Sequence, residues 1–251
     1  MSTHSAAPPE RVAVPVMRQR WDSLSFLHWP YDVDVVQRFL PAGLTVEAWD
    51  GRAWIGLVPF EMHVGGPAGP HMVRFPETNV RTYVVGPDGR PGIWFFSLDA
   101  GSVAAVTAAR ASWQLPYFWS RMSIRRDGDE VVYTASRRAP GPAKAGHEIT
   151  VVAGDALSDV GEFEHYLTAR FTLWNAVAGK LMRTQADHPP WQLRAATAVE
   201  CREDLLATAG LPAPEGAPIA HYSDGVDVRI GAPRPARRRD SATGTSGLAA
   251  G

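Results

Sequence analysis

The chain has 251 residues, of which 45% are hydrophobic, and a formal net charge of −1 with its histidines neutral. That length and apolar content suffice for one sizeable core, and no shift in composition marks a second domain. The near-neutral balance gives no ground for nucleic acid or an anionic membrane as the main partner, and a lone cysteine, Cys201, excludes an internal disulfide.

The opening segment, MSTHSAAPPERVAVPVMRQRW, is broken by prolines and arginines and has no long apolar run. It reads as neither a signal peptide nor an anchor, so a cytoplasmic location is expected. Residues 1–11 are expected to be disordered, 12–233 to form the single domain, and 234–251, with Arg237, Arg238 and Arg239, to be a disordered Arg-rich tail. Within the domain, residues 12–17 suit a short edge segment and 24–29 a strand. Asp32 or Asp34 can cap a short helix that ends at Pro41 and Gly43. Asp50-Gly51 joins strands over 44–49 and 53–59, a strong hairpin signal. The loop GGPAGPHMVR then reads equally as a lid or a mobile connection.

The next stretch, FPETNVRTYVV, carries the chemistry. At strand period it places Phe75, Glu77, Asn79, Arg81 and Tyr83 on one face, and Thr78, Val80, Thr82 and Val84 on the other. Such a polar face is either the wet side of an antiparallel sheet or the lumen of a small closed barrel. Its aromatic ends and its widely spaced acid and base favour the lumen. A turn over 86–92 leads to a return strand at 93–98, on which Ser97 and Asp99 share the face of Ile93 and Phe95. Ser102 caps an Ala-rich helix through about 112, which Pro116 stops.

Beyond it, strands at 120–126 and 130–137 flank Asp127-Gly128, a strand follows at 148–152, and Ser158 can cap a helix that carries Phe163 and Leu167. Residues 171–174 and 180–185 form a last hairpin. Trp191 is expected in the core, and HYSDGVDV forms a final element. Hairpins interspersed with a few helices give an α+β chain, a mixed and mainly antiparallel β-barrel or cone.

FPETNVRTYV, PGIWFFSLDA and ARASWQLPY, together with WDSLSFLHWP, DGRAWIGLVPF, EFEHYLTARFTLW, HPPWQL and HYSDGVDV, closely resemble the DUF2071 (YqjF-like) family. That family is grouped with acetoacetate decarboxylase-like proteins, so the resemblance implies their fold, a pocket and symmetric oligomers. The decarboxylases carry an Arg, five residues, then Pro followed by two lysines, the first of which forms a Schiff base. Arg110 and Pro116 stand at that spacing here, but Tyr117 and Phe118 follow. The lysines, Lys144 and Lys180, both read as surface residues, so the covalent mechanism is not expected.

The residues support a lyase-like enzyme for a small keto acid or carboxylate. Glu77 is the acid/base group, Arg81 and Arg110 hold a carboxylate or enolate oxygen, and Tyr117 is a phenolic donor. Asn79, Tyr83 and Asp99 orient the substrate or Arg81. Arg170 is either a pocket cation, as the resemblance implies, or a surface ion-pair partner. His221 and Tyr222 are weaker candidates. A non-catalytic organic-acid binder fits the same residues, as does a structural Glu77–Arg81 pair. The roughly 13 Å between their α-carbons disfavours that pair. The scattered histidines have no metal-site spacing and no nucleotide fingerprint occurs, so neither metal nor cofactor is expected.

Overall fold

The computed structural model describes residues 4–67, 71–141 and 145–236. In chain order its elements are β1 (Met17–Asp32), α1 (Val33–Gln37), β2 (Thr45–Val46), β3 (Arg52–Gly65), β4 (His71–Val85), β5 (Pro91–Ala100), α2 (Val103–Ser112), β6 (Tyr117–Asp127) and β7 (Glu130–Ala139). They continue with β8 (Gly146–Ala156), α3 (Glu162–Thr168), β9 (Thr172–Val177), β10 (Lys180–Asp187), β11 (Leu193–Glu203), α4 (Leu205–Thr208), β12 (Ile219–Ile230) and β13 (Arg234–Pro235).

All 13 strands belong to one sheet, which closes on itself twice. Pairing of β4 with β5 closes a nine-strand barrel, β5-β6-β7-β8-β11-β12-β1-β3-β4. Pairing of β10 with β12 closes a second circuit of seven, β5-β9-β10-β12-β1-β3-β4. Five strands, β12, β1, β3, β4 and β5, are therefore common to both. At each edge of this shared wall the sheet divides. β12 meets β11 through residues 221–223 and β10 through Arg229 and Ile230. β5 meets β9 through Ile93 and Trp94 and β6 through 98–100, and these two pairings are parallel while the rest are antiparallel.

A wall with an interior on each side must be buried on both faces, which explains the near-continuous apolar run of β3. One face, with Leu27, Leu57 and Val80, packs against Val131, Tyr133, Ile149 and Val151 and fills the nine-strand barrel. The other bears Phe26, Val58 and Phe60 and faces the seven-strand circuit.

Several local signals act as expected. Asp50 and Gly51 take φ of 48° and 72°, the left-handed pair that a tight turn requires, but only Trp49 and Arg52 bridge across it, and β2 pairs with β4 instead of β3. Ser102 caps α2, accepting from the Ala105 amide at 3.3 Å. Others differ. Gly161, not Ser158, precedes α3, and β11 occupies the LRAATAVECRE stretch, for which no strand was expected. The His4 imidazole lies against Trp49 and Tyr166. Arg234 and Pro235 likewise pair with β10, whereas Arg237, Arg238, Arg239 and Lys144 lie outside the described residues.

The consequential difference is in β5. Its pairing with β4 shifts between Val80 and Arg81: Arg81 faces Phe95, but Val80 faces Ser97, so Phe96 is an extra residue. This bulge reverses the alternation. Ile93, Phe95 and Leu98 line the seven-strand lumen, while Ser97 and Asp99 turn away from it. Asp99 instead lies in the nine-strand barrel, where it accepts two bonds from Arg137, at 2.9 and 2.6 Å, and one from Ser120 at 2.6 Å. Arg137 also stacks over Phe118, 3.7 Å from its ring centre.

Asp99 and Arg137 are 0% and 2% exposed, so each depends on the other for its charge. Replacing Asp99 with Ala is expected to lower stability by about 3–5 kcal/mol in urea denaturation, because it strands the guanidinium, and the pair Asp99→Leu with Arg137→Met to recover most of that loss.

Candidate functional site

A cavity of about 160 Å³ occupies the seven-strand lumen, and every strand of that circuit contributes to its lining. Along β4, Glu77, Asn79 and Arg81 point into it, as the alternation predicts; β6 adds Tyr117, and the segment after α3 adds Arg170. The lumen is otherwise largely apolar.

Glu77 is 2% exposed, and the Tyr117 hydroxyl donates to its Oε2 at 2.9 Å. Burial pushes its carboxyl up to about 8; the Tyr117 hydrogen bond opposes the shift and the charge of Asp99 adds to it. Loss of solvent outweighs a single hydrogen bond, so the group is neutral at pH 7. Burial, reinforced by Glu77, also raises Tyr117 well above the usual phenol range and keeps it a donor.

Arg81 is 7% exposed, and none of its partners among the described residues is a carboxylate. Its Nη2 donates to the Leu167 carbonyl at 3.1 Å, its Cζ lies 5.6 Å from the Phe26 ring and 5.8 Å from that of Tyr83, and its Nε makes no hydrogen bond. The last carbonyls of α3 hold this end of the site together. Leu167 also accepts from the Tyr83 hydroxyl at 2.6 Å, Tyr166 from Arg170 Nε at 2.6 Å, and Thr168 from the Trp191 indole at 2.9 Å. Since Tyr83 donates to Leu167, His28 Nε2, 2.6 Å away, must donate to the phenol, so the buried imidazole carries its proton on Nε2.

Arg170 has a carboxylate partner. Its Nη1 meets Glu47 Oε2 at 2.5 Å, and its guanidinium lies against the adjoining Tyr83 and Tyr166 rings, 4.7 and 4.5 Å from their centres. Arg170 is thus ion-paired, but in the interior and not at the surface, and it lines the cavity. Its Nη2 and Asn79 Oδ1 are buried with no hydrogen-bond partner among the described residues.

Other candidates fall elsewhere. Arg110 is exposed on α2, where Ala109 and Trp113 take the cavity side; it donates to the Tyr117 carbonyl at 2.8 Å and ties the helix to β6. Asp99 is on the far side of the wall, and Tyr83 lies behind Arg81 instead of on the cavity surface. Tyr222 packs in the nine-strand core and His221 is buried outside the lining. Lys180 is exposed at the β9–β10 turn, and the lining contains no lysine among the described residues.

Two features escaped sequence reasoning. His188 lines the cavity between Phe171 and Trp191, and its Nδ1 donates to Pro189 O at 2.7 Å. Burial pushes it down to about 4, so it is neutral; a histidine before two prolines gave no sign of this placement. Asp22, Glu61 and His63 also meet across β1 and β3 in a grouping compatible with a cation. Arg20 and Arg74 hold the two carboxylates at 2.7 Å each.

The doubly closed mixed barrel is an acetoacetate decarboxylase-like fold. Solved structures with this architecture include the enduracididine biosynthesis enzyme MppR complexed with the condensation product of pyruvate and imidazole 4-carboxaldehyde. It has a TM-score of 0.65 and 14% identity, over 90% of this chain and 92% of that one. They also include acetoacetate decarboxylase from Legionella pneumophila, with a TM-score of 0.65 and 13% identity, over 92% of each chain. A third is an acetoacetate decarboxylase-like enzyme from Sphingomonas wittichii, with a TM-score of 0.61 and 14% identity, over 94% of this chain and 99% of that one.

The chain belongs to the DUF2071 family, described as an uncharacterized conserved protein, whose model matches residues 18–227. It is 33% identical over 217 residues to the uncharacterized protein YqjF of Bacillus subtilis, covering 85% of this chain and 89% of that protein. No described helix is long and apolar enough to cross a membrane.

The raised Glu77 value fixes a sign for stability. Between the ordinary carboxyl value of 4.5 and about 8 the folded state keeps a proton that the unfolded chain releases, so this group's contribution falls as pH rises through that window and levels off above it. Glu77→Gln should therefore match wild type in stability near pH 4.5 and exceed it by on the order of 4 kcal/mol above pH 8, as measured by urea denaturation across that range.

Proposed function

We propose that this protein is a lyase-like enzyme that binds a small keto acid or other carboxylate in the seven-strand lumen and acts on it by non-covalent acid/base chemistry. The observation that carries this reading is the buried Arg81 guanidinium, which has no carboxylate partner among the described residues and stands beside a carboxyl that is itself neutral at pH 7. A cation held out of water needs a counter-charge, and an anionic ligand supplies it through bidentate, charge-assisted hydrogen bonds. Arg170 and Asn79, each with a buried unpartnered atom, stand beside the same lumen.

Neutral Glu77 suits proton delivery to an enolate carbon or oxygen. Tyr117 donates to Oε2, leaving Oε1 to carry the proton. When that proton moves to substrate, the Tyr117 hydrogen bond stabilises the carboxylate left behind, which takes up a proton from water before the next turnover. A pKa near 8 matches this task at neutral pH better than an ordinary carboxyl does. Fold neighbours that include an enzyme complexed with a condensation product of pyruvate and an acetoacetate decarboxylase are in keeping with a keto acid, while the lysine-free lining argues against a Schiff base. A binder without turnover would use the same Arg81 contact, and the missing nucleophile favours that second reading.

The two are separated by variants. Arg81→Ala is expected to weaken binding of a stabilising acid by about 2 kcal/mol, roughly 30-fold in Kd. Glu77→Gln should keep the affinity within about threefold and lose turnover of the same acid. Unchanged binding in Arg81→Ala would refute the anion reading, and a ligand that binds with no turnover in wild type would favour the binder.

A further inference from the structure

His188 lines the lumen, yet the chemistry above gives it no part. It follows the end of β10 and is 1% exposed, its ring centre 4.7 Å from that of Phe171 and 4.9 Å from that of Trp191. The Pro189 carbonyl fixes the imidazole proton: a carbonyl only accepts, so Nδ1, 2.7 Å from it, carries the hydrogen. Burial keeps the ring neutral, and the charge of Arg81 opposes a second cation beside it. Nε2 is therefore a lone pair, buried and with no hydrogen-bond partner among the described residues. Pro189 borders an outer cleft and not the lumen, so the Nδ1 edge of the ring faces out and the Nε2 edge faces in.

The other polar atoms of the lining divide into donors and acceptors. Arg81 Nε and Arg170 Nη2 are donors without a partner, and neutral Glu77 keeps its proton on Oε1, since Oε2 accepts from Tyr117. Asn79 Oδ1 joins His188 Nε2 as an acceptor, and the Thr184 hydroxyl can serve as either. A carboxylate satisfies the donors alone, because it has only lone pairs to offer. A keto oxygen is of the same kind and would set a lone pair against that of Nε2. A hydroxyl brings the proton that the imidazole lacks.

Size makes the demand strict. An apolar cavity of about 150 Å³ takes benzene, about six heavy atoms, and this lumen is about 160 Å³. An acid of about three carbons therefore fills it and meets the lining on all sides. Such a ligand leaves no room for a bridging water, so the group that pairs with Nε2 must be its own.

Resting on the acid-binding reading above, we infer that the ligand is a small hydroxy acid, its carboxylate held by Arg81 and its hydroxyl donating to Nε2 of His188. The lumen thus separates acids of one size by whether they carry a second, proton-bearing oxygen.

The test is titration calorimetry of the full chain at neutral pH with both enantiomers of lactate, 3-hydroxypropionate, pyruvate, propionate, and the amide of whichever hydroxy acid binds most tightly. That hydroxy acid is expected to bind at least tenfold more tightly than pyruvate or propionate, the scale of leaving one buried acceptor unpaired. His188→Phe keeps a ring between Phe171 and Trp191 but offers no acceptor, and should bring all these acids within about threefold of one another. His188→Gln, whose amide oxygen can accept, should keep part of the preference, and the wild-type series stands by itself if both variants fold poorly. Pyruvate or propionate matching every hydroxy acid would overturn the inference while leaving the acid reading intact. A hydroxy-acid preference that survives His188→Phe would overturn the assignment to His188. An amide binding as tightly as its acid would remove the carboxylate, and with it the reading on which the inference rests. Failure of every compound to bind would overturn both.

Discussion

The structure depends on one constraint: a five-strand wall serves two closed circuits at once, and strand alternation sends successive side chains to opposite interiors. Closure without free edges requires both circuits to be satisfied by the same backbone. The nine-strand side meets the demand with aliphatic side chains and a buried ion pair. The seven-strand side is left hollow, so it is where a ligand can complete the packing.

Charge is distributed along the same division. Three ionisable groups of the wall and its edge, Glu77, Arg81 and Asp99, are all buried. Asp99 is balanced by Arg137 on one side. On the other, Glu77 is neutral by desolvation and Arg81 is held by a carbonyl and two ring faces, none of which cancels its charge. Separation in charge state thus follows from separation in space. Holding a bare guanidinium also requires fixed acceptors. The last carbonyls of α3 provide them for Arg81, Tyr83 and Arg170 together, so this short helix sets the positions of three groups it does not itself contain.

Much of this was legible in the sequence because it rests on local rules. The Asp50-Gly51 and Asp127-Gly128 turns, the Ser102 cap and the period-2 row on β4 each follow from a few adjacent residues. The link to DUF2071 and to the decarboxylase-like fold was carried by motifs in order along the chain. What stayed hidden is non-local. Nothing near Phe96 announces that it is an extra residue, so Asp99 was read on the wrong face. Helical rotation by one position puts Ala109 toward the cavity and Arg110 outside it. Arg170 owes its setting to Glu47, far away in the chain. His188 and Trp191 reach the lumen only because β10 and β11 diverge to pair with different ends of β12.

The bulge at Phe96 also has an evolutionary meaning. It is a phase switch, letting one strand write half its side chains into each chamber: Ile93 and Phe95 before it and Leu98 after it share the hollow, and Asp99 is delivered to the solid side. Deleting Phe96 would restore plain alternation and leave both where they are, whereas straightening the bulge with Phe96 kept would exchange the two, placing an anion within the hollow and an aliphatic chain opposite Arg137. Diversification of the ligand chamber along β5 is therefore open to substitution, and a relative with one residue fewer between the positions of Phe95 and Asp99 should lack the bulge as well.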